Sequence, residues 1–282
     1  MANRSKTNPS TRASTSKLPA WITSHFQESL DALDLLMNMI RISQRGIRML
    51  RAVPNAIQVL SSVNGAKADS TTDTLIKRAE EEAALAHTEV EKDFPVLHGF
   101  AAVALWSWLE HFVKGFIALW LMHRRESLET PAVQKLRVKL GDYLKLQKAE
   151  QAQLLVELLE QDLASPLKRG AARFESLLEP FGLRFSLPEK CGFRIFELQQ
   201  VRNAIAHRNG KADRRLRASC PLLKLKLGQP VSISRSMLEN YAEAAGGFLL
   251  ELLYRIGDIY NEDLRPADPT SVPNGVAVVK KG

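Results

Sequence analysis

The stretch Pro95–Met122 constrains the fold more than any other part of the chain. Leu105, Trp106, Leu109, Phe112, Val113, Phe116, Leu119 and Trp120 recur at helical spacing and cover most of a helix circumference. A helix that is apolar nearly all round must be wrapped by other elements or by lipid. His98, Glu110, His111 and Lys114 interrupt it, and no stretch of eighteen residues anywhere in the chain is free of charge. The reading is therefore a buried core helix rather than a membrane span.

The flanking sequence supplies helices to wrap it. From Trp21, the residues Phe26, Leu30, Leu33, Leu36, Met37 and Ile40 mark one apolar face. Pro54 is expected to kink or break that helix, with the pattern resuming to about Val63. The polar stretch Asn64–Thr72, with Gly65, is the best candidate for a boundary. Further helices are predicted over Thr72–Asp93, Pro131–Leu146 and Glu150–Leu163, then a short one among loops between Asp162 and Gly182. Ser234 or Ser236 caps a last long helix to about Tyr260, with Leu249, Leu252, Leu253 and Ile256 inward. Leu223, Leu225 and Leu227 alternate with Lys224 and Lys226, and Val231–Ser234 follows beyond Gly228-Gln229-Pro230, which predicts one small β-hairpin. The fold class is thus all-α, a helical bundle with a single hairpin. Residues 1–20 form a basic tail expected to be disordered, 21–64 a helical N-terminal extension, 70–262 the main domain, and 263–282 a disordered tail.

Composition narrows the chemistry. With 45% hydrophobic and 25% charged residues, the 282-residue chain is ordinary globular material. Cys191 and Cys220 are the only cysteines, so no disulfide framework or thiolate metal cluster is expected, and a reducing cytoplasm is the default. The N-terminus lacks the apolar run of a secretory signal. Six histidines are present, but none stands in a metal-ligand motif with carboxylates, and no phosphate-cradling Gly-rich loop or nucleophile elbow occurs. No metal and no cofactor is expected. The net charge of +8 is concentrated: Arg208, Lys211, Arg214, Arg215, Arg217, Lys224 and Lys226 face only Asp213 between 208 and 226. Such a run suits a polyanionic partner, and equally a merely solvated face.

That run follows the most chemical stretch of the chain, Leu198-Gln199-Gln200-Val201-Arg202-Asn203-Ala204-Ile205-Ala206-His207. On a helix begun near Pro188, Ile195, Leu198, Val201 and Ile205 form an apolar seam, and Gln200, Asn203 and His207 form a polar stripe opposite. Asn203 lies four residues before His207, at the spacing where its amide can hold one ring nitrogen. Arg202 falls beside the seam and needs a carboxylate, a phosphate or a partner chain. Glu110, on the polar stripe of the core helix, is a candidate to pair with it; an intrahelical Glu110–Lys114 pair is the alternative.

Arg202-Asn203, three residues and His207, on a helix ended by Arg208-Asn209-Gly210, resemble the signature of HEPN domains, all-helical proteins of ribonucleases, toxin–antitoxin pairs and phage defence. The resemblance covers about residues 70 to 262 and implies a HEPN-like bundle. It also implies a metal-independent endoribonuclease, a homodimer with a composite site at the protomer interface, and an antitoxin or regulatory protein as partner. In that reading Arg202 and His207 carry the chemistry, Asn203 orients, and Glu110 is a further catalytic candidate. Arg208, Lys211, Arg214, Arg215 and Arg217 would hold RNA. The chemistry fits the residue types: a His can move protons to and from the 2′- and 5′-oxygens, and an Arg can clamp phosphate while staying charged. One chain supplies one such His where the reaction uses both an acid and a base. The alternatives are a non-catalytic module of the same fold that binds RNA, nucleotide or a protein, and a structural adaptor in which the motif is coincidence.

Overall fold

The computed structural model describes residues 18–63, 70–163 and 168–266. Residues 1–17 and 267–282 of the expected tails, and 64–69 of the polar stretch, lie outside the described residues; the inner ends of both tails are ordered, with Leu18 buried and Leu264 packed on the core. The apolar stretch is one helix, α4 (Pro95–His123), opened by Pro95 at its first turn. Both carboxylate oxygens of Glu89 accept from its free first-turn amides, Val96 N and Leu97 N at 3.4 Å. By length and composition α4 could cross a bilayer, yet Leu105, Leu109, Val113, Phe116 and Ile117 are fully buried by protein.

Helix α1 (Ala20–Leu50) runs along α4, as the Phe26–Ile40 pattern predicts, with Ile22, Phe26, Leu33 and Ile40 buried. Trp21, His25 and Phe26 interleave with Phe112, Phe116 and Trp120, and Trp108 Nε1 donates to Ser29 O at 2.8 Å. Gly115 makes this approach feasible, because a Cβ there would lie 3.0 Å from the His25 ring. The N-terminal helix thus shares the core of the rest of the chain. The break falls where Pro54 places it: α2 (Val53–Val63) follows two turn residues, and α2 and α3 (Ser70–Glu91) pack together.

Three helices close the other sides of α4: α7 (Lys148–Asp162), α9 (Glu189–His207) and α11 (Arg235–Tyr260). Ser234 caps α11, accepting from Met237 N. α8 (Ala171–Leu178) packs on α4 and α9, and α10 (Arg214–Ser219) on the end of α9. The all-α expectation holds among the described residues.

Two predicted elements differ. Pro131–Leu146 forms two single turns, α5 (Pro131–Gln134) and α6 (Leu140–Tyr143), rather than one helix. Only Val133 of those turns is buried, so no apolar face rewards a continuous helix. The β-hairpin does not form. Pro221–Leu223 is a 3₁₀ turn, Lys224 adopts φ 50°, and Pro230 has no amide to donate. The segment 228–231 instead clasps the chain after α9: Ala212 N donates to Gln229 O, Gly228 N to Ala212 O and Val231 N to Gly210 O, at 2.7–2.8 Å. A single bridge, Lys211 to Pro230, is all the β-structure among the described residues.

Candidate functional site

α9 carries the motif, and the bundle holds it on more sides than its apolar seam alone requires. Ile195, Leu198, Val201 and Ala204 are buried, but so are Glu197, Gln199 and Gln200, because α4, α8, α10 and α11 all pack on it. Each of these three buried side chains has a partner, as low dielectric demands. Glu197 accepts from Arg194 Nη1 and from the Tyr241 hydroxyl, both at 3.0 Å. Burial, with Glu197 beside it, pushes the Tyr241 hydroxyl well above its ordinary range, and pushes the Cys220 thiol up to about 12. Gln199 Oε1 accepts from Gly170 N at 2.7 Å and from Gln200 Nε2 at 3.3 Å. Gly170 must be glycine: its φ is +58°, and a Cβ would sit 2.8 Å from the Phe196 backbone. Sequence reading missed this belt, although three polar residues among four beside a seam were its signal. The predicted stripe is split accordingly, with Gln200 inside the protein while His207 is exposed.

The last two turns of α9 bring Arg202, Asn203 and His207 together. Arg202 Nη1 donates to Asn203 Oδ1 at 3.2 Å and contacts His207 Nε2 at 3.0 Å. The amide was expected to hold the imidazole; the guanidinium does so instead, since from its place beside the seam it reaches across one turn to both. Arginine can only donate, so in this contact Nε2 accepts and the ring proton sits on Nδ1. Arg202 Nε is buried with no hydrogen-bond partner, and no carboxylate lies in ion-pair range of Arg202 among the described residues.

Glu110 is not that partner, which corrects the expected pairing and removes the ground for a catalytic role. Glu110 Oε1 lies 2.6 Å from Arg173 Nη2 and 3.2 Å from Lys114 Nζ, the intrahelical alternative. Glu160 of α7 completes the cluster, 2.6 Å from Arg173 and 2.7 Å from Lys114. Burial alone would raise the Glu160 carboxyl, but the hydrogen bonds and charges of Lys114 and Arg173 outweigh it and hold the group below the ordinary range. Arg173, between two helices with a carboxylate each, takes the place the sequence offered to Arg202.

The basic stretch is more ordered than a loop. Its one acid, Asp213, caps α10 by accepting from Leu216 N at 2.7 Å and pairs with Arg208. The amide of Leu216 and the Arg208 guanidinium hold the Asp213 carboxyl below its usual range. An aspartate immediately before a basic helical turn was the legible signal. Gln200, Asn203, Arg208, Asp213 and Arg215 line a small cleft between α9 and α10, so Asn203 and Arg215 share one opening. Lys211, Arg214 and Arg217 are exposed near it in the chain but do not line it.

Three other histidines are structural. His98 is fully buried, bonded to Ile233 O and Gln44; His25 bonds to Phe112 O; His123 stacks on Trp21. Burial raises the Cys191 thiol to about 11, so neither cysteine is a ready nucleophile. Among the described residues no three His, Cys, Asp or Glu side chains are grouped to hold a metal. No family model, curated protein or solved structure matches the chain.

Proposed function

We propose that the chain is a metal-independent endoribonuclease of HEPN type, acting as a homodimer whose two α9 ends meet at one RNA. The observation that carries this reading is the Arg202–Asn203–His207 group: an exposed imidazole whose Nε2 is held by a guanidinium that has no carboxylate of its own. A half-buried guanidinium with no carboxylate of its own suits a phosphate better than a structural ion pair. As Arg202 moves from Nε2 onto the phosphate, it frees the ring's one lone pair to accept the 2′-hydroxyl proton as that oxygen attacks phosphorus. The bond to the 5′-oxygen then breaks, and the His207 of a second copy, in its imidazolium form, donates the proton the leaving oxygen needs and becomes neutral. Arg202 stabilises the charge on the phosphorane oxygens. The products are a 2′,3′-cyclic phosphate and a 5′-hydroxyl. Arg215, across the cleft from Asn203, and Arg214, Arg217 and Lys211 beside it hold the backbone. The test is purified protein with end-labelled RNA in excess EDTA. Cleavage with cyclic-phosphate ends is expected, while 3′-hydroxyl ends or strict dependence on Mg²⁺ would overturn the proposal.

A further inference from the structure

A second basic site lies on a part of the chain the motif does not include. Arg41, Arg45 and Arg48 fall at i, i+4 and i+7 on α1 and so share one stripe, about 10 Å long. Arg235, the first residue of α11, faces them across a cleft of about 360 Å³. That is within the size range of small-ligand pockets. Met37, Ile40 and Leu238 give the cleft an apolar wall, and Gln44 and His98 a polar one. Gln44 is 8% exposed and His98 0%, so the polar wall is built into the core rather than laid on the surface. Gln44 Nε2 donates to His98 Nε2 at 2.8 Å and His98 Nδ1 donates to Ile233 O at 3.0 Å, a chain of bonds with a neutral ring.

The charges do not balance. Glu239 pairs with Arg235 at 2.8 Å, and Asp93 accepts from the Arg235 backbone amide at 2.8 Å. Arg41 bonds only the neutral Asn38, Arg48 stacks on Phe94 at 4.9 Å, and Arg45 makes no ion pair among the described residues. Three guanidinium groups on one stripe repel one another unless an anion lies between them. The corner that seats Arg48 and Arg235 is strained as well: Asp93 and Phe94 are consecutive non-glycine residues with φ of 58° and 56°. Two left-handed residues in a row persist only where the surroundings enforce them, as at ligand clamps. Here Phe94 is 1% exposed and bound to the Glu89 carbonyl at 2.6 Å.

We infer that this cleft binds a small molecule bearing two or more linked phosphate groups. The phosphates lie against Arg41, Arg45, Arg48 and Arg235, where planar guanidinium forks match their oxygens. The rest of the ligand lies on the Met37, Ile40 and Leu238 wall. Bound there, it ties α1 to the start of α11. Through His98 and Ile233 it also bears on the clasp that follows the motif helix.

The test is calorimetric titration of the full chain with inorganic tripolyphosphate, so it reads binding and is independent of any RNA cleavage. Saturable one-to-one binding is expected, weakened at least tenfold in the Arg41→Gln/Arg45→Gln double variant. Both side chains are exposed, so that variant keeps the core. The Arg214→Ala/Arg215→Ala/Arg217→Ala variant should bind tripolyphosphate like the wild type. Absence of saturation overturns the inference, and so does equal weakening in both variants, which would mark generic charge attraction. If single-stranded RNA but not tripolyphosphate depends on Arg41 and Arg45, the cleft is a backbone track and the small-ligand assignment falls.

Discussion

Two polar groups lie against the same core, and they are built on opposite rules. Glu110, Lys114, Glu160 and Arg173 join α4, α7 and α8 with two acids and two bases, each contact 3.2 Å or shorter. Arg202, Asn203 and His207 sit on one helix end with no acid, a buried Nε–H without a partner, and an exposed ring. The first group is complete in itself and holds helices together. The second is a guanidinium against two neutral acceptors, which the proposed function turns toward a phosphate from outside the chain. On the proposed reading, charge balance, more than residue type, separates scaffold from chemistry in this molecule.

The comparison is broken most forcefully at the motif. His207→Ala and Arg202→Ala should each reduce RNA cleavage about 100- to 10,000-fold, the usual yield of a positioned acid–base or oxyanion group. Their thermal midpoints should stay close to wild type, because the contacts removed are half-exposed or exposed. Arg173→Ala should do the reverse. It leaves Glu110 and Glu160 with only Lys114, and should lower stability by about 3 kcal/mol in denaturant titration, with normal turnover for the fraction that folds.

A milder test uses one histidine in place of a cluster. His25 is held between α1 and α4, and its burial lowers its pKa from 6.5 despite the hydrogen bond to Phe112 O. Its neutral form is therefore the folded form. Stability from this group is complete above the unfolded pKa of 6.5 and is lost as pH falls below it, where the unfolded chain takes the proton first. Between about pH 7.5 and 5.5 the wild type should lose more stability than a His25→Gln variant does. Equal losses would show that His25 does not titrate with folding.

What could be read in advance follows from how local each signal is. The central helix, the Pro54 break and the Ser234 cap rest on residues a few positions apart, and each stands where expected. The hairpin did not, because alternation of Leu223, Leu225 and Leu227 reports periodicity while pairing is decided by the partner strand, here residues 210–212. In the site, Arg202, Asn203 and His207 were legible as a group because one helix carries them all. That Arg173 and not Arg202 meets Glu110 was not, since which of two arginines reaches a carboxylate depends on the packing of α8 against α4. The same holds for the cleft at Arg41, Arg45 and Arg235, whose parts are nearly two hundred residues apart.

The smallest effect is expected at α10. Replacing Arg214, Arg215 and Arg217 with Ala should flatten the slope of log RNA affinity against log salt by about two units, at roughly 0.7 per phosphate contact on a single strand. Turnover at saturating RNA and low salt should be near wild type, because these residues position the backbone and move no proton. An unchanged slope would mean that α10 is only a solvated face.

The central claim is that the acid-free group is chemical and the balanced one structural. It is tested most directly by one measurement on two variants: the rate of RNA cleavage in EDTA per folded protein for His207→Ala and for Glu110→Gln. The expected result is a loss of about 100-fold or more for His207→Ala and a rate within about threefold of wild type for Glu110→Gln. Equal loss in both variants, or loss in Glu110→Gln alone, would contradict it.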